Sequence, residues 1–147
     1  MGVDYGSQNG SKNVDSANTK EYDRKLLGID LSGHVNNVSF QAEYNRMTVE
    51  EKSASKKVTP GGWYVQAGYF IPGLNLEPVL RYEDYNLNGE IADAHRKYTT
   101  IGANWYAQGH SMKFGLNLVQ VKFGDNARIV ANDGDARVLQ FQSQFYY

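Results

Sequence analysis

The sequence predicts an all-β fold, an antiparallel up-and-down transmembrane β-barrel with about eight strands. Three observations lead to this prediction. The C-terminal segment from Arg137 to Tyr147 alternates apolar or small residues with Gln, as strands do when they separate lipid from a polar interior. Similar alternation recurs along most of the chain, and the connections between the alternating segments are short and long in turn.

Length and composition agree with one barrel domain over residues 1–147. Mean hydropathy is -0.58, and no stretch approaches the roughly 18 consecutive apolar residues that a membrane helix needs. The net charge of -1 gives no electrostatic reason to expect nucleic acid as a partner. Met1-Gly-Val-Asp lacks the regions of a signal peptide, so we expect an exported chain to be a mature form or a fragment.

The first strands are read from alternation with a period of two. Residues 1–20 offer a candidate first strand around Val3 and Tyr5, followed by a polar loop, and residues 21–147 carry the other strands. Apolar residues alternate from Leu27 to Val35, and the pattern resumes at Val38 after Asn36-Asn37, which predicts a tight hairpin. The Lys-rich segment 50–60 is expected to be a loop.

The next hairpin runs from Gly61-Gly62 through a turn at Pro72-Gly73 and back. Pro78 removes one backbone donor from the returning strand, which predicts a strand end or a bulge near the turn. Residues 86–94 are polar and are expected to form another loop.

The third hairpin turns at Gln108-Gly109-His110, with Met112, Phe114, Leu116 and Leu118 continuing the outer face. Beyond Leu118 the alternation changes phase, because the apolar residues are then Val119, Val121 and Phe123. This change predicts a bulge or a strand end that leaves the membrane. A polar loop at 124–136 precedes the final strand.

The alternation of connections predicts the orientation of the barrel. Outer-membrane barrels have short periplasmic turns and longer extracellular loops, so the C-terminus is expected in the periplasm. The aromatic residues of the last strand that share its apolar face are the expected barrel-assembly signal: Phe141, Phe145 and Tyr147. Other aromatic residues are expected in girdles at headgroup level: Trp63, Tyr64, Tyr69, Tyr82, Trp105, Tyr106 and Tyr146.

Four phrases occur in an order that resembles a known family: Val38-Ser-Phe-Gln-Ala-Glu-Tyr44, Gly62-Trp-Tyr-Val-Gln-Ala-Gly-Tyr-Phe70, Leu80-Arg-Tyr-Glu-Asp-Tyr85 and Thr100-Ile-Gly-Ala-Asn-Trp-Tyr106. They resemble the C-terminal half of the phosphate-selective porins O and P. The resemblance implies an outer-membrane channel of a Gram-negative bacterium, usually a trimer of 16-stranded barrels. This chain differs in being too short for the N-terminal half and in lacking a dense ladder of Arg and Lys.

The polar faces of the strands supply the candidate functional residues: Asp30, Glu43, Glu77, Arg81, Glu83, Lys113, Gln140 and Gln142. Two interpretations stay open. If eight strands close alone, the interior is only wide enough for side chains, and these groups form a packed polar core. If the chain is half of a 16-stranded porin, they line water and set ion selectivity.

We therefore expect a porin-like protein for passive diffusion of small solutes, which include anions, or a small closed barrel derived from such a porin. The alternative is a soluble eight-stranded barrel that binds a small apolar ligand, with the two faces exchanged. Neither a catalytic arrangement, a metal site nor a cofactor is expected, because His34, His95 and His110 share no ligand spacing. The expected partners are outer-membrane lipid or detergent, and a homo-oligomer is left open.

Overall fold

The protein is described by a computed structural model over residues 2–15, 18–52, 56–127 and 134–146. These residues form one antiparallel sheet, which confirms the all-β, up-and-down prediction. The strands are β1 (Gly2–Asp15), β2 (Asn18–Val35), β3 (Val38–Glu51), β4 (Lys56–Val58), β5 (Gly61–Tyr69), β6 (Leu76–Asn86), β7 (His95–His110), β8 (Met112–Phe123) and β9 (Ala136–Phe145). No helix within these ranges is long and apolar enough to cross a membrane.

Each of the eight longer strands pairs with its neighbours in this series, and the first and the last, β1 and β9, have one partner each. The order across the sheet is β1-β2-β3-β5-β6-β7-β8-β9, and the short β4 pairs beside this path with β3. Among the described residues, no ladder joins β1 to β9, so the sheet is open and has two edge strands. Of the two arrangements that the sequence left open, this one matches a section of a larger barrel wall.

The first hairpin is longer than the alternation predicted. β1 continues to Asp15 and β2 begins at Asn18, with one register shift between Gln8 and Ser11. The prediction of a polar loop up to residue 20 was therefore wrong. Ladder hydrogen bonds join backbone groups, so two polar strands can stay paired beyond the point where one face needs to be apolar.

The segment 50–60 also contains more strand than predicted. β3 extends to Glu51, and β4 pairs with its last three residues, Val49 to Glu51. The expectation that this segment is only a loop was wrong. Its sequence is polar, so alternation does not reveal that it contains a short paired strand.

The first two short turns lie where the sequence placed them, whereas β7 continues to His110 and the third turn is centred on Ser111 instead of Gln108-Gly109-His110. Val35 pairs with Val38, and Asn36 between them has φ of 52°, a conformation that Asn tolerates better than most residues. At Pro78 the β5–β6 ladder stops at Gly68 and Val79, then resumes as a single bridge between Ile71 and Leu76 in the same register. Pro78 thus interrupts the ladder without making a bulge.

Strand β8 contains no bulge, so that interpretation of the phase change was wrong. Its register with β7 is continuous, with Leu118 opposite Ile101 and Val119 opposite Thr100. The apolar residues simply move from one face of the strand to the other. Val119, Val121 and Phe123 are buried with Ala127, and Leu87 and Tyr98 pack against them. The outward residues Gln120 and Lys122 agree with the other interpretation, in which the strand leaves the membrane.

The two faces of the sheet differ in shape and polarity. Residues of five consecutive strands, including Gln66 of β5 and Gln140 of β9, line one shared concavity, so the polar face is the concave one. On the convex face one register row carries four large apolar side chains that are 50–70% exposed: Leu80, Ile101, Leu118 and Leu139. Such a surface requires a cover of lipid or protein.

The long connections meet at one end of the sheet. The backbone N–H of Gly89 donates to the carbonyl oxygen of Thr59 at 2.9 Å, which joins the second long connection to the first. The N–H of Asp125 donates to Oδ2 of Asp93 at 2.7 Å, which joins the third to the second. The opposite end of the sheet has only the short turns, so the two ends match the asymmetry of outer-membrane barrels.

Candidate functional site: the concave face

The predicted polar residues lie on one face because residues directly opposite each other in neighbouring strands point to the same side. Asp30 lies opposite Glu43, and Glu43 lies opposite Tyr64. Tyr64 in turn lies opposite Glu83, so three carboxylates occupy one row. Further rows place all the other candidates on this face: Glu77, Arg81, Lys113, Gln140 and Gln142. That these side chains line a pore stays a prediction.

Arg81 is held against the wall by two neighbours. Its guanidinium carbon lies 3.6 Å from the centre of the Tyr64 ring, and its Nη2 donates to Oε2 of Glu83 at 2.9 Å. The two ion-paired side chains are 27% and 31% exposed. Stacking and ion pairing together fix the guanidinium flat, and the carboxylate compensates its charge.

Glu77 has three donors around its carboxylate. Ser39 Oγ donates to Oε1 at 2.6 Å, while Tyr106 Oη and Asn104 Nδ2 donate to Oε2 at 2.6 and 3.2 Å. The residue is only 9% exposed, and three charge-assisted hydrogen bonds offset the cost of burying it. This cluster lies toward the short-turn end of the concave face.

A glycine makes the Glu77 cluster possible. Ser39 belongs to β3 and Glu77 to β6, and β5 lies between these strands. A Cβ at Gly68 of β5 would lie 2.7 Å from both Ser39 Oγ and Glu77 Oε1, so any side chain there would separate the two groups. The absence of a side chain on the middle strand lets polar groups meet across it.

The remaining candidates lie near the edge of the sheet. Lys113 Nζ is 5.4 Å from the centre of the Tyr106 ring, next to the Glu77 cluster. Gln140 and Gln142 of the edge strand lie opposite Asn117 and Gly115, and both are exposed. The structure therefore brings Glu77 close to Lys113 and Arg81 close to Glu83, while the two Gln residues form a separate polar strip.

The aromatic residues of the last strand face outward. Phe141 and Phe145 lie 6.3 and 5.9 Å, between ring centres, from Phe114 of β8, which also lies 5.8 Å from Trp105. They form an aromatic group on the convex face toward the short-turn end, as expected for a girdle. Tyr147 lies outside the described residues, so its role in barrel assembly stays a prediction.

Three of the predicted girdle residues point inward instead. The ring of Tyr64 stacks on Arg81, Tyr106 donates to Glu77, and Tyr146 accepts from Nε2 of Gln144 at 2.6 Å, so all three belong to the concave face. Their positions in the alternation already place them among polar residues, and that signal could have separated them from Trp63 and Trp105. Sequence reasoning also missed Arg96, whose guanidinium carbon lies 4.6 Å from the centre of the Phe123 ring.

The charge on this face is unbalanced. From the row of Glu43 to the short-turn end, the described strands carry more carboxylates than cations: Asp30, Glu43, Glu77 and Glu83 against Arg81 and Lys113. Glu43 accepts a hydrogen bond from its strand neighbour Asn45 and has no ion pair within the described part of the chain. The net potential of this wall section is therefore negative.

Comparison with known proteins shows one family model and one relative that match nearly the whole chain. The family model of the phosphate-selective porins O and P matches residues 3–147. An uncharacterized protein of Aquifex aeolicus (strain VF5) is 31% identical over 156 aligned positions, which cover 100% of this chain and 35% of the relative. The chain thus spans about a third of the length of that relative. No solved structure matches the chain.

Alternation alone allowed either a membrane barrel or a soluble ligand-binding barrel, and the family match favours the membrane barrel. The porin O and P proteins are outer-membrane proteins of Gram-negative bacteria, and a porin family indicates a channel, not an enzyme. The chain is accordingly an outer-membrane, porin-like protein. With a family model that covers nearly its whole length, the chain belongs to the phosphate-selective porin O and P family.

Proposed function

We propose that the sheet is one section of the wall of a water-filled pore through which small solutes diffuse passively. The observation that carries this proposal is an open sheet with a polar concave face and two edge strands that the described residues leave unpaired. Unpaired backbone groups are costly in a membrane, so further strands must complete the barrel. These strands come from the remainder of a longer chain or from another copy of this one.

A larger barrel explains the polar side chains better than closure by these strands alone. In an eight-stranded barrel the interior is filled by side chains, and each carboxylate then needs its own donors. Glu77 has such a set of donors, but the acidic row of Asp30, Glu43 and Glu83 has Arg81 as its single ion-paired cation among the described residues. Contact with water in an open pore would solvate the other two carboxylates.

The charge balance leads to a proposal about the solutes. Cations and neutral solutes should pass this section more easily than anions, because carboxylates outnumber cations and Glu83 compensates the charge of Arg81. An anion preference would require cations from the rest of the barrel or the release of Arg81. The convex face is covered by outer-membrane lipid, or by detergent after extraction.

Conductance in planar bilayers tests the pore. Chain reconstituted into the bilayer should give stable, large current steps, and a salt gradient should give a reversal potential that indicates cation preference. A folded protein with no stable steps would contradict the proposal, because a packed eight-stranded barrel has no open lumen.

Replacement of Glu83 tests the solute preference. Glu83→Gln removes one carboxylate and releases Arg81, whereas Glu43→Gln removes one carboxylate and releases no cation. We expect Glu83→Gln to lower the cation-to-anion permeability ratio more than Glu43→Gln does, because it also leaves the charge of Arg81 uncompensated. Equal shifts of the permeability ratio in the two variants would mean that the ion pair between Arg81 and Glu83 does not affect the solute preference.

A further inference from the structure

Three cations lie together on the convex face at the long-loop end of the sheet. Lys97 of β7 lies directly opposite Lys122 of β8, and Arg137 of β9 lies opposite Gln120, one outward-facing position below Lys122. All three side chains are exposed. We call Lys97, Lys122 and Arg137 the rim patch.

The rim patch brings like charges close together. Directly opposed residues have Cβ atoms roughly 4.5–5.5 Å apart, and like charges at that spacing destabilise a sheet. No described carboxylate forms an ion pair with any of the three cations. Two carboxylates flank the lysine pair, and both have other partners. Asp84, opposite Lys97, has its Oδ1 2.5 Å from His95 Nδ1, and Oδ1 of Asp135, just before β9, accepts from the N–H of Phe123 at 3.0 Å. An anion from outside the chain would offset the repulsion that remains between Lys97 and Lys122.

The surface below the rim patch indicates what kind of molecule carries that anion. One polar row, formed by Thr99, Gln120 and Arg137, lies between the Lys97–Lys122 pair and the apolar wall. In that wall Ile101, Leu118 and Leu139 are 62%, 50% and 70% exposed. A ligand that fits both surfaces has an anionic head above acyl chains.

The other half of the same rim lacks this combination. There Arg46 shares a pocket with Asp84, Glu90 and His95, so carboxylates lie beside the cation. In the described residues, two carboxylates thus lie beside the single cation Arg46, whereas two carboxylates, Asp84 and Asp135, flank the three cations of the rim patch. A local excess favours one bound lipid over general attraction to an anionic surface.

We propose that the rim patch binds the phosphate groups of lipid A, the phosphorylated, multiply acylated lipid of the outer leaflet, with its acyl chains on Ile101, Leu118 and Leu139. The long loops place this end of the sheet on the extracellular side, where that leaflet lies. Lys and Arg are suited to phosphate, Arg through paired hydrogen bonds and Lys as a point charge. The head group of lipid A carries two phosphates. The three cations that can contact them lie on three neighbouring strands, β7, β8 and β9.

Native mass spectrometry of the full chain, refolded in a neutral detergent, tests this proposal with diphosphoryl lipid A as the probe. The triple variant Lys97→Gln, Lys122→Gln, Arg137→Gln should bind at least about tenfold more weakly than the unmodified chain. The matched control is Arg24→Gln, Lys52→Gln, Lys57→Gln, which removes the same charge outside the patch. It should stay within about twofold of the unmodified chain, since long-range attraction is screened.

Two further variants keep the test decisive if the triple variant does not fold. Lys97→Arg, Lys122→Arg, Arg137→Lys keeps the charge and should retain binding, and the single change Lys122→Glu should weaken it. Unchanged binding by either the triple variant or Lys122→Glu would overturn the proposal. So would an equal loss in the control, or inorganic phosphate binding as tightly as the lipid. The readout is lipid binding, so the result does not depend on whether the protein conducts ions.

Discussion

The two halves of strand β8 have equally apolar sequences and opposite environments. In the first half, Leu116 and Leu118 point outward and are 53% and 50% exposed. In the second half, Val119, Val121 and Phe123 point to the concave side and are each 8% exposed. The strand itself stays regular, and only the material that covers each face changes.

This difference shows that an apolar row identifies a covered face but not what covers it. The first half has no protein cover among the described residues, and under the proposed function lipid, which has no specific shape, would cover it. The second half is covered by Leu87 and Ala127 of the long connections, which pack against it as a small protein core. Substitutions should therefore act through packing in the second half and through polarity in the first.

The largest expected effect is that of Phe123→Ala in the second half of β8. Truncating a well-packed buried Phe leaves a cavity and should lower the free energy of unfolding by about 3–5 kcal/mol. Urea titration of the full chain in phospholipid vesicles, followed by Trp fluorescence, measures it.

The control for Phe123→Ala is Leu116→Ala, which removes a contact with lipid and should cost clearly less. Equal losses in the two variants would mean that the long connections do not form a packed core on Phe123.

Leu116→Arg comes next in size and tests the first half. A cation in the middle of the lipid-facing wall should cost roughly 2–4 kcal/mol of unfolding free energy. The same titration measures it.

Asn117→Arg is the matched control, because the next residue points to the concave face. In a water-filled pore it should cost little. A loss as large as that of Leu116→Arg would indicate a packed interior, and a neutral Leu116→Arg would mean that the faces are exchanged.

The smallest expected effect is that of Val119→Thr at the junction of the two halves. The hydroxyl replaces a buried methyl group of similar volume and should cost about 1–3 kcal/mol, toward the lower end because Val119 is near the edge of the cluster. Val65→Thr on the convex face, where the residue is 48% exposed, should cost less in the same titration. A larger loss of unfolding free energy in Val65→Thr than in Val119→Thr would contradict the assignment of Val119 to the packed side.

The sequence alone predicted the hairpins and the faces well, for a simple physical reason. A period of two is visible wherever one face is apolar, as from Leu27 to Val35 and around the Asn36-Asn37 turn. It failed where neither face is apolar, so the extension of β1 to Asp15 and the short β4 were missed. It also failed at Val119, because alternation does not show whether lipid or a loop covers a strand.

The candidate site was predictable as a set but not as an arrangement. Alternation places Arg81 and Glu83 on the polar face, yet it does not show that Tyr64 lies opposite Glu83 or that Arg81 stacks on its ring. The three donors to Glu77 come from strands whose register is a tertiary property. The residues of the site were therefore predictable from alternation, and their partners follow only from the pairing of the strands.

The strictly sequential strand order has a kinetic meaning. Every ladder between the eight longer strands joins neighbours in the chain, with only the short β4 between β3 and β5, so each hairpin can form from local contacts and add to the one before it. Joining the two edge strands to their eventual neighbours is the remaining step that needs distant contacts. We expect the wall to assemble quickly, hairpin by hairpin, and the completion of the barrel to set the pace of folding.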